Sequence, residues 1–221
     1  MHRGYNAQKR GRYVFADFSR DIAKLRELTD EQLMLRVQQG HGASFDVLVE
    51  RYKDRLFNYL YRLVGDRDEA EEIEQEAFVK AYIHAGKYKT IAKFSTWLYT
   101  IATNLVRNRM RSRSRAPQLF PLWSRGHDGE EEKPIDIVDP DRSPEEKIND
   151  SELREIINEG IRRIPDKYRM SFVLREVDHL SYEEIAAVTG LKLGTVRSRI
   201  NRARNCFRKT LAPLIEKGID F

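Results

Sequence analysis

The chain has a single cysteine, Cys206, so an internal disulfide is excluded. Its histidines, His2, His41, His84, His127 and His179, are scattered without metal-ligand spacing, and no metal or cofactor site is expected. Apolar runs extend only a few residues, which excludes a membrane-spanning helix. The basic N-terminus, with Arg3, Lys9, Arg10 and Arg12, has no apolar stretch behind it, so no signal peptide is expected either. Together these absences point to the cytoplasm. No strand signal and no internal repeat stands out. Clusters of carboxylates, histidines or cysteines beside the basic segments are also missing, so the reading assigns no catalytic residue and no enzyme activity.

What is present is helix and charge. The chain has 221 residues and a net charge of +5, and its pI is about 9.2, but the charge lies in blocks. Residues 107–115 contain Arg107, Arg109, Arg111, Arg113 and Arg115 and no acid, whereas residues 128–146 carry nine acids against Lys133 and Arg142. Basic blocks attract phosphate and the acidic block does not. The expected fold class is all-α, with two small helical domains on either side of a linker. Residues 1–28 read as an N-terminal arm or loosely docked helix, 29–115 as the front domain, 116–146 as a flexible linker rich in proline and acid, and 147–221 as a C-terminal domain.

Residues 181–209 read SYEEIAAVTGLKLGTVRSRINRARNCFRK, two short amphipathic helices around a glycine-containing turn. Ser181 and Glu184 form an S-x-x-E capping box, and Ile185, Ala186, Leu191, Val196, Ile200 and Ala203 supply a buried stripe across both helices. This is a helix-turn-helix whose outward face is Arg197, Ser198, Asn201, Arg202 and Arg204. An arginine at the start of such a helix can reach guanine O6 and N7 in the major groove, while Thr195 and the helix-start amides suit a phosphate. A solvated basic helix is the plain alternative, but cap, turn, stripe and acid-free face coincide here.

In the front half, Thr29 with Gln32 starts a helix that stops near Gly40, and Phe45, Leu48, Val49, Tyr52, Leu56, Leu60, Leu63 and Val64 line a core helix ending at Gly65. The next segment, GDRDEAEEIEQEAFVKAY, turns Ala70, Ile73, Ala77 and Ala81 inward and Glu69, Glu72, Gln75 and Glu76 outward. Two readings stand for that acid stripe: a solvated face, or a surface for a basic partner. A further helix from Phe94 buries Phe94, Trp97, Leu98, Ile101, Ala102 and Leu105. Its other face carries Thr100, Asn104, Arg107, Asn108 and Arg111, next to Tyr88 and Trp97, which offers stacking surface beside positive charge, as single-stranded nucleic acid requires. Alternatively Trp97 is core and the arginines solvate a helix end.

With these residues in view, the chain resembles the extracytoplasmic-function class of bacterial sigma factors, two-domain proteins that direct RNA polymerase to promoters. The resemblance covers roughly residues 29 to 213 and rests on DEAEEIEQEAFVKAY, KFSTWLYTIATNLVRNRMR, IPDKYRMSFVLREVDHLSYEEIA and LGTVRSRINRAR, in that order around the linker. It implies that the acid stripe of Glu69, Glu72, Gln75 and Glu76 docks on core RNA polymerase. It also implies that Tyr88 and Asn104, with Trp97 beside them, capture a flipped base of the minus-ten element while Arg107, Asn108 and Arg111 hold the nearby backbone. Arg197, Ser198, Asn201 and Arg202 fall where the family reads the minus-thirty-five element; Arg199 sits among them, with phosphate as its alternative partner. An anti-sigma factor is an expected partner, and a stress or envelope regulon the expected target. The N-terminal extension and the acidic linker have no role in the resemblance.

Fully stretched, roughly 31 linker residues span on the order of 100 Å, and a flexible coil of that length averages about 30 Å. Core polymerase is therefore expected to set the separation of the two reading surfaces. The alternative is a helix-turn-helix regulator that acts without replacing another sigma factor. Such a protein would carry a ligand-binding or phosphoacceptor domain in front, and here the front half reads as all helical.

Overall fold

A computed structural model describes residues 22–115 and 144–215, with side chains described for 22–112 and 153–212. Every regular element in these segments is helical. The front unit contains α1 (Asp30–Gln38), α2 (Gly42–Val64), α3 (Arg67–Ile83) and, after a 3-10 turn at Ala85–Lys87, α4 (Phe94–Arg115). The rear unit contains α5 (Pro144–Arg162), α6 (Asp166–Glu176), α7 (Tyr182–Thr189) and α8 (Leu193–Ile215). Residues 116–143, most of the expected linker, and residues 1–21 lie outside the described segments.

Local chemistry sets the boundaries. Thr29 and Gln32 make the reciprocal capping box that starts α1, with hydrogen bonds of 3.3 and 2.9 Å. Gly65, at φ 78°, ends α2 in a left-handed conformation that costs glycine little, and the Asp66 carboxylate then accepts from the Glu69 amide at 2.8 Å to start α3. Helix α5 begins at Pro144, so residues 144–146 are helical rather than linker, because proline suits a first helical position whose N–H needs no partner. At the other end, Leu25 belongs to the front core, 3% exposed, and Arg26 pairs with Glu50 at 2.7 Å. The stretch from 22 onward is thus docked rather than arm-like.

Leu33, Leu48, Leu56, Leu60, Ile73, Ala77, Phe94 and Leu98 are buried in the front unit; Ile161, Ile164, Phe172, Val173, Ile185, Val196 and Ile200 are buried in the rear. The two cores meet. Helix α4 packs on α7, and α2 on α5 and α6, so the units form one continuous cluster. Helix α4 accordingly has a second buried row that the sequence reading missed: Tyr99, Thr103 and Val106 are fully buried alongside Leu98, Ala102 and Leu105.

Candidate nucleic-acid interface

Helix α4 and the loop before it carry the first group of candidates. The Gln38 side-chain amide donates to the carbonyls of Ala85 and Tyr88, at 2.9 and 3.0 Å, and the Tyr88 hydroxyl donates to the Ala92 carbonyl at 2.8 Å. These bonds fix a loop that presents Ile91, 92% exposed, beside an open recess of about 550 Å³. Asp30, Glu31, Tyr52, Thr90, Lys93 and Ser95 are among its walls. Glu31 also accepts from the Phe94 amide at 3.4 Å, a carboxylate set at the positive end of α4.

Tyr88 differs from expectation. Its ring is 4% exposed, packed 5.3 Å from Trp97 and 6.2 Å from Phe94 between centroids, so it shapes the loop instead of offering an open stacking face. Burial, with Glu31 and Asp30 nearby, pushes its hydroxyl up to about 12, and it stays a neutral donor. Trp97 is half-buried, and Asn104, Asn108 and Arg111 are exposed on one side of α4. Arg107 is different: its guanidinium donates to the Thr189 carbonyl of the rear unit at 2.8 Å. That carbonyl lies at the negative end of α7, just before Gly190 turns left-handed at φ 65°. Burial lowers the Arg107 pKa from its ordinary value, the Tyr59 phenol opposes this, and the guanidiniums of Arg111 and Arg199 lower it further.

On α8, Arg197, Ser198, Asn201, Arg202 and Arg204 share the exposed face, while Arg199 is half-buried near Arg107. Aromatic and acidic neighbours from α6 and α7 steady the arginines. Arg197 and Arg175 lie 6.0 and 5.0 Å from the Tyr182 ring centre, Arg202 donates to the Tyr168 hydroxyl at 3.2 Å, and Arg204 pairs with Glu176 at 2.7 Å. The α7 cap holds as expected, with hydrogen bonds of 2.8 and 3.1 Å between Ser181 and Glu184. Thr195 departs from the reading in one respect: its amide is already tied to the Lys192 carbonyl at 2.8 Å.

The acid stripe on α3 is partly outward. Glu72 and Gln75 are exposed and Glu76 is half-exposed, but Glu69 is 8% exposed and turned into the packing beside Ala70. Arg109 of α4, which the sequence reading did not single out, reaches Glu72 at 2.8 Å and Glu76 at 3.7 Å; Lys80 adds a 3.4 Å contact to Glu76. The stripe continues into exposed Val79, Tyr82 and Ile83, beside an apolar recess of about 490 Å³ lined by Phe45 and Phe78. An amphipathic count that assigns α3 one buried face does not anticipate apolar residues on the other. Among the described residues, no group of histidine, cysteine and carboxylate side chains could hold a metal, and no helix is long and apolar enough to cross a membrane.

Known proteins resemble the chain across both units. Residues 48–116 match the model of Sigma-70 region 2, and residues 154–207 that of Sigma-70 region 4. The RNA polymerase sigma-H factor of Pseudomonas aeruginosa is 37% identical over 189 residues, 86% of this chain and 97% of its own length. For the ECF RNA polymerase sigma factor SigW of Bacillus subtilis the identity is 36% over 188 residues, covering 85% of this chain and 100% of the relative. The ECF RNA polymerase sigma-E factor of Escherichia coli is 37% identical over 191 residues, 86% and 98% of the two chains. The fold is shared with CnrH in complex with the cytosolic domain of CnrY, at a TM-score of 0.60 and 21% identity over 83% of this chain and 97% of that one. It is shared too with RpoE in complex with the anti-sigma factor NepR from Bartonella quintana, at 0.59 and 23% over 76% and 96%. With both regions matched in order and relatives aligned over nearly their whole length, the chain belongs to the ECF RNA polymerase sigma factors.

Proposed function

We propose that the chain joins core RNA polymerase, directs it to specific promoters and helps open the DNA there, with no catalytic chemistry of its own. The observation that carries this reading is the division of labour in the fold: one exposed polar and basic face on α4 beside a recessed loop, and a second on α8 in a helix-turn-helix. A helix-turn-helix regulator acting alone has no use for the first. In this reading Asn104 contacts a minus-ten base delivered to the loop, with Tyr88 and Trp97 shaping its surroundings, and Arg107, Asn108 and Arg111 neutralise the backbone. Thr195, Arg197, Ser198, Arg199, Asn201 and Arg202 engage the minus-thirty-five duplex.

Core polymerase takes the α3 surface through Glu72, Gln75 and Glu76, with Glu69 supporting the stripe from within. Continuity of the acids with exposed Val79, Tyr82 and Ile83 supports an interface over a solvated face, since a contiguous apolar patch at the surface costs solubility unless it is covered. An anti-sigma factor is a further proposed partner, since a sigma factor of the same fold, RpoE, is captured in complex with the anti-sigma factor NepR. Its site of action would be the bacterial cytoplasm, where polymerase and promoters are. Transcription in vitro from promoters varied at single positions, with and without core polymerase, tests the function. Promoter-selective initiation that depends on both is expected; sequence-specific repression or activation without displacement of another sigma factor would overturn it.

A further inference from the structure

The apolar recess at the end of the acid stripe is walled by aromatic rings. Phe45 of α2 meets Phe78 and Tyr82 of α3 edge to face, at 6.4 and 5.2 Å between centroids, and Gly42, Ala43 and Asp46 close the α2 side. Tyr82 is 52% and Val79 55% exposed, so the recess of about 490 Å³ turns apolar surface to water. The N-terminal extension, to which the family resemblance gives no role, has the complementary chemistry. Residues 13–18 read YVFADF, and Arg3, Lys9, Arg10, Arg12 and Arg20 lie around them in sequence, with Asp17 as the only acid before residue 21. The recess has the opposite sign, since Asp46 is exposed on its wall and the acid stripe begins one turn from Val79, at Glu76.

The described chain also begins beside the recess. Residues 22–26 are helical, Leu25 is buried in the front core, and Arg26 pairs with Glu50 at 2.7 Å. Ala43, Asp46 and Glu50 recur at three- and four-residue spacing, so the wall of the recess and the anchor of Arg26 share one side of α2, with Asp46 about 6 Å from Glu50. Ile22 is a further distance of about 6 Å along the helix from Arg26, and the stretch from Phe15 to Ile22 extends to about 25 Å, which covers the separation. We propose that residues 13–18 occupy the recess of Phe45, Phe78 and Tyr82, so that the chain's own N-terminal segment covers part of the surface offered to core polymerase. The second clause rests on the polymerase role proposed for α3. Tethering makes a weak contact sufficient: a short link gives an effective concentration on the order of 1 mM, so an intrinsic Kd of about 0.1 mM keeps roughly nine recesses in ten covered. Val79 and Tyr82 cannot meet the segment and polymerase together, and a recess covered to that extent weakens polymerase binding about tenfold.

The test uses the full chain with Cys206→Ser and Gly42→Cys, a position on the rim where an added Cβ meets nothing within 4 Å. The rate at which a maleimide reacts with that thiol reports cover. It is expected to rise at least fivefold when Phe15→Ser and Phe18→Ser are introduced together, and to stay within about twofold of the parent rate with Phe15→Leu and Phe18→Leu, which keep the apolar bulk. Helical circular dichroism should be the same in all three chains, because Leu25 and the rest of the front core are untouched. Affinity for core polymerase, read by titration of the labelled chain, should rise at least fivefold in the serine variant. A thiol that reacts equally fast in the parent and serine chains overturns docking. Protection that grows with protein concentration, with dimers in light scattering, gives the recess to a second copy and overturns it too. Faster thiol reaction with unchanged polymerase affinity overturns the competition. Promoter-dependent transcription by the parent chain with core polymerase fails only if the sigma-factor reading itself fails, which keeps the two apart.

Discussion

Gly160 sits where α5 meets α8 with no room for a methyl group: a Cβ there would lie 2.8 Å from the Phe207 ring, which is itself packed against Phe172 at 5.2 Å between centroids. Gly160→Ala is expected to destabilise the rear unit by about 1–3 kcal/mol despite alanine's better helix propensity, because overpacking outweighs it. Thermal unfolding followed by circular dichroism checks the sign. At the reading face, Arg197→Ala should cost about 1–3 kcal/mol at the preferred promoter and flatten discrimination at one base pair, as loss of a bidentate guanine contact does. Arg208→Ala, exposed further along α8, should at most weaken every sequence alike. Binding titrations against single-position duplex variants separate base reading from charge neutralisation. For Asn104→Ala, permanganate footprinting should show slower opening at one minus-ten variant with upstream duplex binding nearly unchanged; wild-type opening of every variant would make that asparagine structural.

At the scale of elements, α3 and α4 are joined by the very acids proposed to meet polymerase. Exposed ion pairs such as Arg109 with Glu72 contribute only about 0–1 kcal/mol, so a basic partner can displace Arg109 at little cost. Replacing Glu72 and Glu76 with lysine should lower affinity for core polymerase at least tenfold while the helix survives, since Ile73, Ala77 and Ala81 remain buried. Arg109→Ala frees the same acids and should leave that affinity no weaker. If both variants bind core polymerase as wild type does, the stripe is a solvated face. The capping boxes at Thr29 and Ser181, the stop at Gly65 and the stripe of the helix-turn-helix were all legible from spacing, because caps and amphipathic periods are local. Glu69 was not: whether one turn of α3 is covered depends on what lies over it.

For the whole molecule, the contact between the two units should respond to acidity. The Tyr99 hydroxyl of α4 donates at 2.6 Å to the buried carboxylate of Asp178, in the turn after α6. Burial raises the Asp178 carboxyl to about 6 from its ordinary 3.8, against the Tyr99 hydrogen bond, Arg55, Arg62 and His179, which lower it; the Tyr59 phenol also lies near. With the units apart that carboxyl faces water and keeps its ordinary value. The packed form therefore holds the proton more tightly, and packing takes one up as the pH falls from above 6 towards 4; above 6 the ionised carboxylate opposes packing fully. Energy transfer between labels on the two units should rise from pH 7 to pH 5, and Asp178→Asn should flatten that dependence. Limited proteolysis within 116–143, where proline, glycine and acid dominate the sequence, should yield two helical fragments that co-elute under native conditions and separate when Arg55→Glu sets an anion facing Asp178.

The amino-acid order by itself determined the all-helical class, the helix-turn-helix with its basic face, the acid stripe and the family, because helix periods, caps and motif order depend on neighbours a few residues apart. It also marked Asn104, Arg197 and Asn201, which the fold leaves exposed. Tertiary structure decided the rest. Tyr88 became a buried brace and Glu69 turned inward, and Tyr99 and Thr103 gave α4 a second buried row because Tyr59 and Asp178, far away in the chain, cover them. Nothing within a turn or two of Arg107 or Asp178 signals their roles, since Arg107 caps a helix 82 residues on and Asp178 meets a tyrosine 79 residues back. Long-range contacts of that kind are set by how two cores pack, and local periodicity does not encode it.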